Sequence, residues 1–204
     1  MDISELSNNL PKALTRQNIT EISTEIQFGL KKLKSGLDFV FESENKREEE
    51  ILLTGIHLIS KLQDISEDDV PRALILINSI DSVFEVEKMM KELAYGTELR
   101  TLKVHDKANR IQERNDLFDG CDIVIGNPKR VIELYFQNGI NFKKLKHIVL
   151  FDAHDIIANN HSTKVIRLFE SLEKCQKILF TNKISEKLED FVEEFLGRAE
   201  ILKF

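Results

Sequence analysis

The stretch Asp122-Ile123-Val124-Ile125-Gly126-Asn127-Pro128-Lys129-Arg130-Val131 reads as a strand running directly into a helix. Ile123, Val124 and Ile125 are apolar on both alternating faces. A strand of that kind is buried on both sides, which points to a parallel sheet covered by helices. Asn127 is a good N-cap residue, and Pro128 suits the first helical position, where no backbone N–H is needed. Gly139 is placed to close that helix.

The same alternation extends in both directions. Ala73-Leu74-Ile75-Leu76-Ile77, Ile148-Val149-Leu150-Phe151 and Ile178-Leu179-Phe180 are also apolar on both faces. Phe39-Val40-Phe41 and Thr101-Leu102-Lys103-Val104 add two more runs, and Ile201-Leu202 a weak last one. Between them, apolar residues recur every three or four positions. Examples are Ile22, Ile26, Leu30 and Leu33, then Leu52, Ile56, Ile59 and Leu62, then Val83, Val86, Met90 and Leu93. Val165 to Leu172 and Leu188 to Phe195 repeat the pattern, which stacks side chains on one helical stripe. Asn45-Lys46-Arg47-Glu48 resembles a capping box, and Ser82 with Glu85 forms a standard one. Strand and helix in alternation predict a three-layer αβα domain with a mainly parallel sheet of about seven strands. Residues 1–20 lack a sheet element and are expected to form an N-terminal helical extension. Residues 21–204 are then a single domain. The segment Gln63 to Pro71 is acidic and is expected to be a solvated loop.

Composition narrows the classes. The chain has 204 residues, 42% hydrophobic and 31% charged, with 8 Gly and 3 Pro, which excludes disordered and collagen-like chains. No uncharged stretch exceeds the ten residues Ile51 to Ser60, too few to span a bilayer, so no membrane partner is expected. The N-terminus has neither a basic nor an apolar signal region, and a cytoplasmic chain is expected. A net charge of −6 argues against a generally basic nucleic-acid binder but leaves room for a local patch. Cys121 and Cys175 lack metal-ligand spacing and read as reduced, partly buried thiols. His57, His147 and His161 show no shared spacing, and His57 borders the apolar stripe of its helix. No metal site is expected.

In open parallel sheets ligands bind beyond the carboxyl ends of the strands. The segments found there, in order and spacing, resemble the N-terminal RecA-like domain of the DEAD-box RNA helicases, a P-loop NTPase-like fold, over residues 10 to 204. Thr24-Glu25-Ile26-Gln27 resembles the end of the Q motif, and the resemblance makes Gln27 the remnant of an adenine-reading residue. Gly36-Leu37-Asp38 before a strand resembles the approach to the Walker A loop. Ala73-Leu74-Ile75-Leu76 resembles the approach to motif Ia. Asp122 to Val131 resembles motif Ib with its Thr-Pro-Gly-Arg, which implies that Asn127, Lys129 and Arg130 face an RNA backbone. Ile148 to Asp155 stands where the Asp-Glu-Ala-Asp box falls, and Ile178 to Lys183 where Ser-Ala-Thr falls.

The departures bear on function. A phosphate loop needs glycines, a Lys for the terminal phosphates and a hydroxyl for Mg²⁺. The segment Ser43 to Glu50 has no glycine, and a gapless alignment puts Glu49 at the Lys position and Glu50 at the hydroxyl position. The three glutamates also read simply as an acidic first helical turn that complements the helix dipole. Phe151 stands at the metal-site Asp, Asp152 at the Glu and His154 at the last Asp. Thr181-Asn182-Lys183 keeps one hydroxyl of Ser-Ala-Thr, and Val104-His105-Asp106-Lys107 replaces the family's Gly-Gly. No catalytic residue and no cofactor are therefore expected. Three readings stand: a binding or assembly module without ATPase or helicase activity, engaging a protein partner; an ATP-independent binder of the RNA backbone through a small patch at Asn127, Lys129 and Arg130; or a divergent ATP-dependent RNA helicase component. The oligomeric state is left open.

Overall fold

The computed structural model describes residues 3–6, 9–62, 69–158, 162–172 and 174–204. Its strands are β1 (Phe39–Glu42), β2 (Ala73–Leu76), β3 (Thr101–Val104), β4 (Ile123–Gly126), β5 (His147–Leu150), β6 (Gln176–Thr181) and β7 (Glu200–Lys203). They form one seven-stranded sheet in the order β3-β4-β2-β5-β6-β1-β7. Every pairing is parallel. The helices are α1 (Leu10–Arg16), α2 (Thr24–Leu33), α3 (Arg47–Lys61), α4 (Ile80–Leu93), α5 (Arg110–Phe118), α6 (Pro128–Phe136), α7 (Ala153–Ala158), α8 (Ser162–Ser171) and α9 (Glu186–Phe195). The mainly parallel sheet read from the apolar runs is thus wholly parallel. The acidic loop read over Gln63 to Pro71 lies largely outside the described residues, as does His161.

The period of two along each strand sorts side chains into two cores. Phe39, Phe41, Ile75, Ile125, Val149, Phe151, Ile178 and Phe180 face α2, α3 and α4. Val40, Leu74, Leu76, Val124, Ile148, Leu150 and Leu179 face α6 to α9. This is the αβα sandwich. Leu10 and Leu14 of α1 are fully buried in the first core, so the N-terminal helix is packed onto the domain.

Three local signals resolve differently from the sequence reading. The N-cap of α3 is Lys46, with no side-chain bond to the helix, whereas Asn45 lies one residue earlier in the left-handed region at φ 55°. Asn tolerates that conformation, and here the turn uses it in place of a capping box. Helix α4 begins earlier than expected. Its cap is Ser79, whose Oγ accepts from the Ser82 N–H, so Ser82 already lies inside the helix. At the end of α6, Asn138 rather than Gly139 takes the left-handed position (φ 57°). The N–H groups of Asn138 and Gly139 donate to the Tyr135 and Leu134 carbonyls, a Schellman closure with Asn in glycine's usual place.

One glycine is required by close packing. A Cβ on Gly126 would lie 2.5 Å from the Val104 carbonyl oxygen and 2.6 Å from Val131 Cγ2. The first neighbour is backbone and cannot rotate away. Gly126→Ala should cost about 1–3 kcal/mol by forcing β3 and β4 apart. Thermal unfolding checks this, and an unchanged midpoint would contradict it.

Candidate nucleotide and nucleic-acid site

Because all strands are parallel, their carboxyl ends share one edge of the sheet. Leu76 pairs with both Gly126 and Leu150, and Leu150 with Leu179. Gly126, Asp152 and Thr181 therefore gather at the same edge, where open α/β sheets hold their ligands.

The floor beneath the β1–α3 turn is aromatic. Phe41 of β1 stacks on Phe180 of β6 at 5.1 Å, and Phe180 on Phe151 at 5.2 Å, with ring planes within 17°. Phe151 is fully buried in this row. The row crosses three adjacent strands because Phe41 is directly opposite Phe180 in the ladder.

A closed polar network covers that floor. The Ser43 N–H donates to the Thr181 carbonyl, which carries the chain over β6 before it turns into α3. Glu50, one turn into α3, points inward and is buried. Its carboxylate accepts from the Ser43 hydroxyl and from Arg47 Nη1, the latter at 2.9 Å. The other end of Arg47 pairs with Asp152. The guanidinium also sits 4.9 Å from the centre of the Phe151 ring, within cation–π range. Burial raises the Glu50 pKa, and the Ser43 and Arg47 contacts offset part of that rise. Asp152 itself is left-handed at φ 53°, which turns the chain abruptly from β5 towards α7. Two residues on, His154 Nδ1 lies 3.0 Å from the Ser185 hydroxyl and ties α7 to the start of α9. The Thr181 hydroxyl donates to the Lys183 carbonyl, folding its segment on itself. Gln27 is half-buried and donates to the Ile22 carbonyl at 2.7 Å.

A second cluster lies at the β4–α6 turn. The Asn127 side chain accepts from the Arg130 N–H at 3.1 Å, which is the expected cap. Its amide nitrogen donates to Asp106, and Lys129 Nζ is 3.5 Å from the same carboxylate. Lys129 is otherwise exposed. Arg130 is buried. Its Nε donates to Glu113 of α5 at 2.9 Å, its Nη2 pairs with the same carboxylate, and its Nη1 pairs with Glu133 at 2.9 Å. Of the three residues read as an RNA-facing patch, only Lys129 is exposed: Asn127 is buried with its amide on Asp106, and Arg130 serves as an internal bridge between α5 and α6. Asp106, Glu113, Ser43 and Arg47 carry no motif signal of their own. Their roles depend on contacts between elements that a linear reading does not pair. Among the described residues, no three His, Cys, Asp or Glu side chains are grouped to hold a metal ion, and no helix is long and apolar enough to cross a membrane.

This architecture, with an all-parallel αβα sandwich and its site at the strand ends, defines a RecA-like domain. A family model for DEAD/DEAH box helicases matches residues 52–191, more than half of the chain, and the chain belongs to that family. It is 26% identical over 148 residues to an ATP-dependent RNA helicase ddx54 of Dictyostelium discoideum, covering 72% of this chain and 14% of that protein. It is 25% identical over 138 residues to a probable ATP-dependent RNA helicase YfmL of Bacillus subtilis, covering 67% of this chain and 37% of that protein. The chain thus spans well under half the length of either relative. Among solved structures, a DEAD box protein from the hyperthermophile Methanococcus jannaschii superimposes with a TM-score of 0.88 at 17% identity. That match covers 100% of this chain and 56% of the other. Saccharomyces cerevisiae Dbp5 bound to RNA and ADP BeF3 gives 0.83 at 15% identity, covering 98% and 50%.

Proposed function

We propose that this DEAD-box domain works without ATP, as a binding or assembly module whose phosphate site is filled by its own side chains. The observation that carries the reading is the Ser43–Glu50–Arg47–Asp152 network at the β1–α3 turn. A triphosphate with Mg²⁺ does not fit these residues. A phosphate cradle is built from backbone N–H groups brought close by glycines. Here every position from Ser43 to Glu50 carries a side chain, and a buried carboxylate faces inward. Arg47 is the cation at hand, and two carboxylates already hold it. Freeing it would break partly buried ion pairs and leave the buried Glu50 carboxylate facing the incoming phosphates, where like charges repel. Phe151, buried in its aromatic row, offers no oxygen to a metal shell. The domain's melting temperature should therefore be the same with and without ATP–Mg²⁺, because only a ligand that binds the native state raises it. A shift of several degrees would overturn the reading.

The RNA-backbone reading has one observation in its favour: Lys129 and the capped N-terminus of α6 lie at the strand-end edge. Asp106 neutralises part of that patch, so any contact is weak, and with so few phosphates engaged its salt dependence is shallow. Lys129→Glu is the clean test, since Arg130 is buried and its replacement would disturb the fold. Weak retention on single-stranded RNA should fall to background in the variant. Retention equal to that of the native chain would exclude this surface.

A further inference from the structure

We propose that the pocket between the end of α6, the loop 138–143 and the end of α8 docks an acidic peptide segment carrying an apolar anchor. The pocket is a half-open groove of about 530 Å³, and Tyr135, Phe136, Ile140, Phe142 and Leu172 form its apolar walls. That volume falls in the range of pockets that bury a ligand side chain or two. It opens on the amino-terminal edge of the sheet. Lys146, just past this loop, donates its N–H to the Arg72 carbonyl at the start of β2. The pocket is therefore at the opposite end of the strands from the network around Arg47. An occupant here would leave that network untouched, and the proposal stands whether or not the chain binds nucleotide.

Charge selects the occupant. On a chain with a net charge of −6, Lys143 of the rim and Lys146, three residues further along the chain, are exposed and make no ion pair among the described residues. The Lys143 N–H caps its own turn on the Asn141 side chain, which fixes the backbone of the rim. The Tyr135 hydroxyl has no hydrogen-bond partner among the described residues. The rim thus offers an ammonium and a phenol, both donors, which suit a carboxylate. The apolar wall favours a side chain over a flat base. Tyr135 and Phe142 already stack on each other at 5.4 Å and 25°, so they present no open platform to a nucleobase. Phe136, half-exposed and edge-on to Tyr135 at 5.4 Å, is the movable wall that an anchor would bury. Aromatic side chains of this kind supply much of the energy at peptide-binding surfaces.

Fluorescence anisotropy with the full chain tests the proposal. The probe is a short fluorescein-labelled glutamate-rich peptide with a central Phe-Leu pair, set against the same peptide with lysines for glutamates and against labelled oligouridine. The acidic peptide should bind saturably with Kd below about 1 mM, and more weakly as salt is raised. The lysine peptide should not bind. Phe136→Ala should weaken binding by about tenfold, the loss of one modest hot spot. Lys143→Glu with Lys146→Glu should abolish it, and both variants should melt like the native chain. No saturable binding of the acidic peptide, equal binding of the lysine peptide, or full affinity in the double variant would overturn the proposal. So would oligouridine binding at these lysines while the peptide fails to bind.

Discussion

Glu113→Ala is expected to destabilise the domain by about 3 kcal/mol, the lower end of what breaking a buried ion pair costs. Arg130 and Glu113 are both almost fully buried, and the guanidinium meets the carboxylate through Nε and Nη2. Removing the carboxylate leaves the Arg130 charge in an almost fully buried site without its main partner. Glu133 remains at 2.9 Å but is itself well exposed, so it compensates only in part. For a domain of this size each kcal/mol shifts the melting temperature by roughly 2–4 °C, so the midpoint should fall by about 6–12 °C. Replacing both partners together, Glu113→Leu with Arg130→Met, should restore most of the loss, because no charge is then stranded. A single-variant drop below about 1 kcal/mol, the value of a surface pair, would contradict the burial argument.

Acid should unfold this domain through two histidines. His57 of α3 and His147 of β5 are buried, with ring centres 5.3 Å apart and planes nearly perpendicular. Gln176 sits between them. Its amide nitrogen donates to the Leu33 and Leu37 carbonyls. Its oxygen therefore faces both rings, at 2.9 Å from His57 Nε2 and 3.2 Å from His147 Nδ1. Each ring must donate through that nitrogen, and both rings are neutral. Burial lowers both pKa values to about 4, and for His147 the neighbouring His57 adds to the shift. In the unfolded chain a His titrates near 6.5. Between about pH 6.5 and pH 4 the unfolded state therefore binds more protons, and stability falls as pH falls. The full contribution is present above pH 6.5 and is gone near pH 4. At 1.36 kcal/mol per pKa unit, each ring accounts for up to about 3 kcal/mol. Glu50 and Asp38, raised chiefly by burial, work in the opposite sense over the acid range and blunt the loss. The melting temperature should still fall steeply between pH 7 and pH 5, and the fall should flatten in His57→Asn with His147→Asn. A flat native profile over that range would contradict the account.

The fold was legible because its signals are local. Each apolar run became a strand: the central runs are buried on both faces and need no distant partner to be recognised, whereas the weak Ile201-Leu202 run forms an exposed edge strand. The Asn127-Pro128 start of α6 is likewise a one-turn interaction and stands as read. Helix α5 had no such stripe, and Glu113 is its buried residue, so periodicity could not find it. The cap of α4 moved to Ser79, an equally suitable residue three positions earlier, whereas the N-cap of α3 is Lys46, without a side-chain bond, because Asn45 is used in the left-handed turn before it. The candidate site was legible as a place but not as a structure. Glycine loss between Ser43 and Glu50 and the Phe at position 151 were visible in the sequence. That Arg47 bridges Glu50 and Asp152 was not, because the bridge spans β1, α3 and β5 and depends on a sheet order the sequence does not state. The same limit hid the His57–Gln176–His147 cluster, whose members lie on three elements, and the burial of Arg130.

Calorimetric titration of the full chain with ATP–Mg²⁺, run beside a Glu50→Ala variant, tests the central claim most directly. With the site filled by Ser43, Glu50, Arg47 and Asp152, the native chain should give no heat beyond dilution, and phosphate release should match a buffer blank. Glu50→Ala should also remain silent, because the glycine-free turn gives the phosphates no backbone to bind. Saturable heat with a micromolar Kd in the native chain, lost on Asp152→Ala or Gln27→Ala, would show a working nucleotide site and contradict the account.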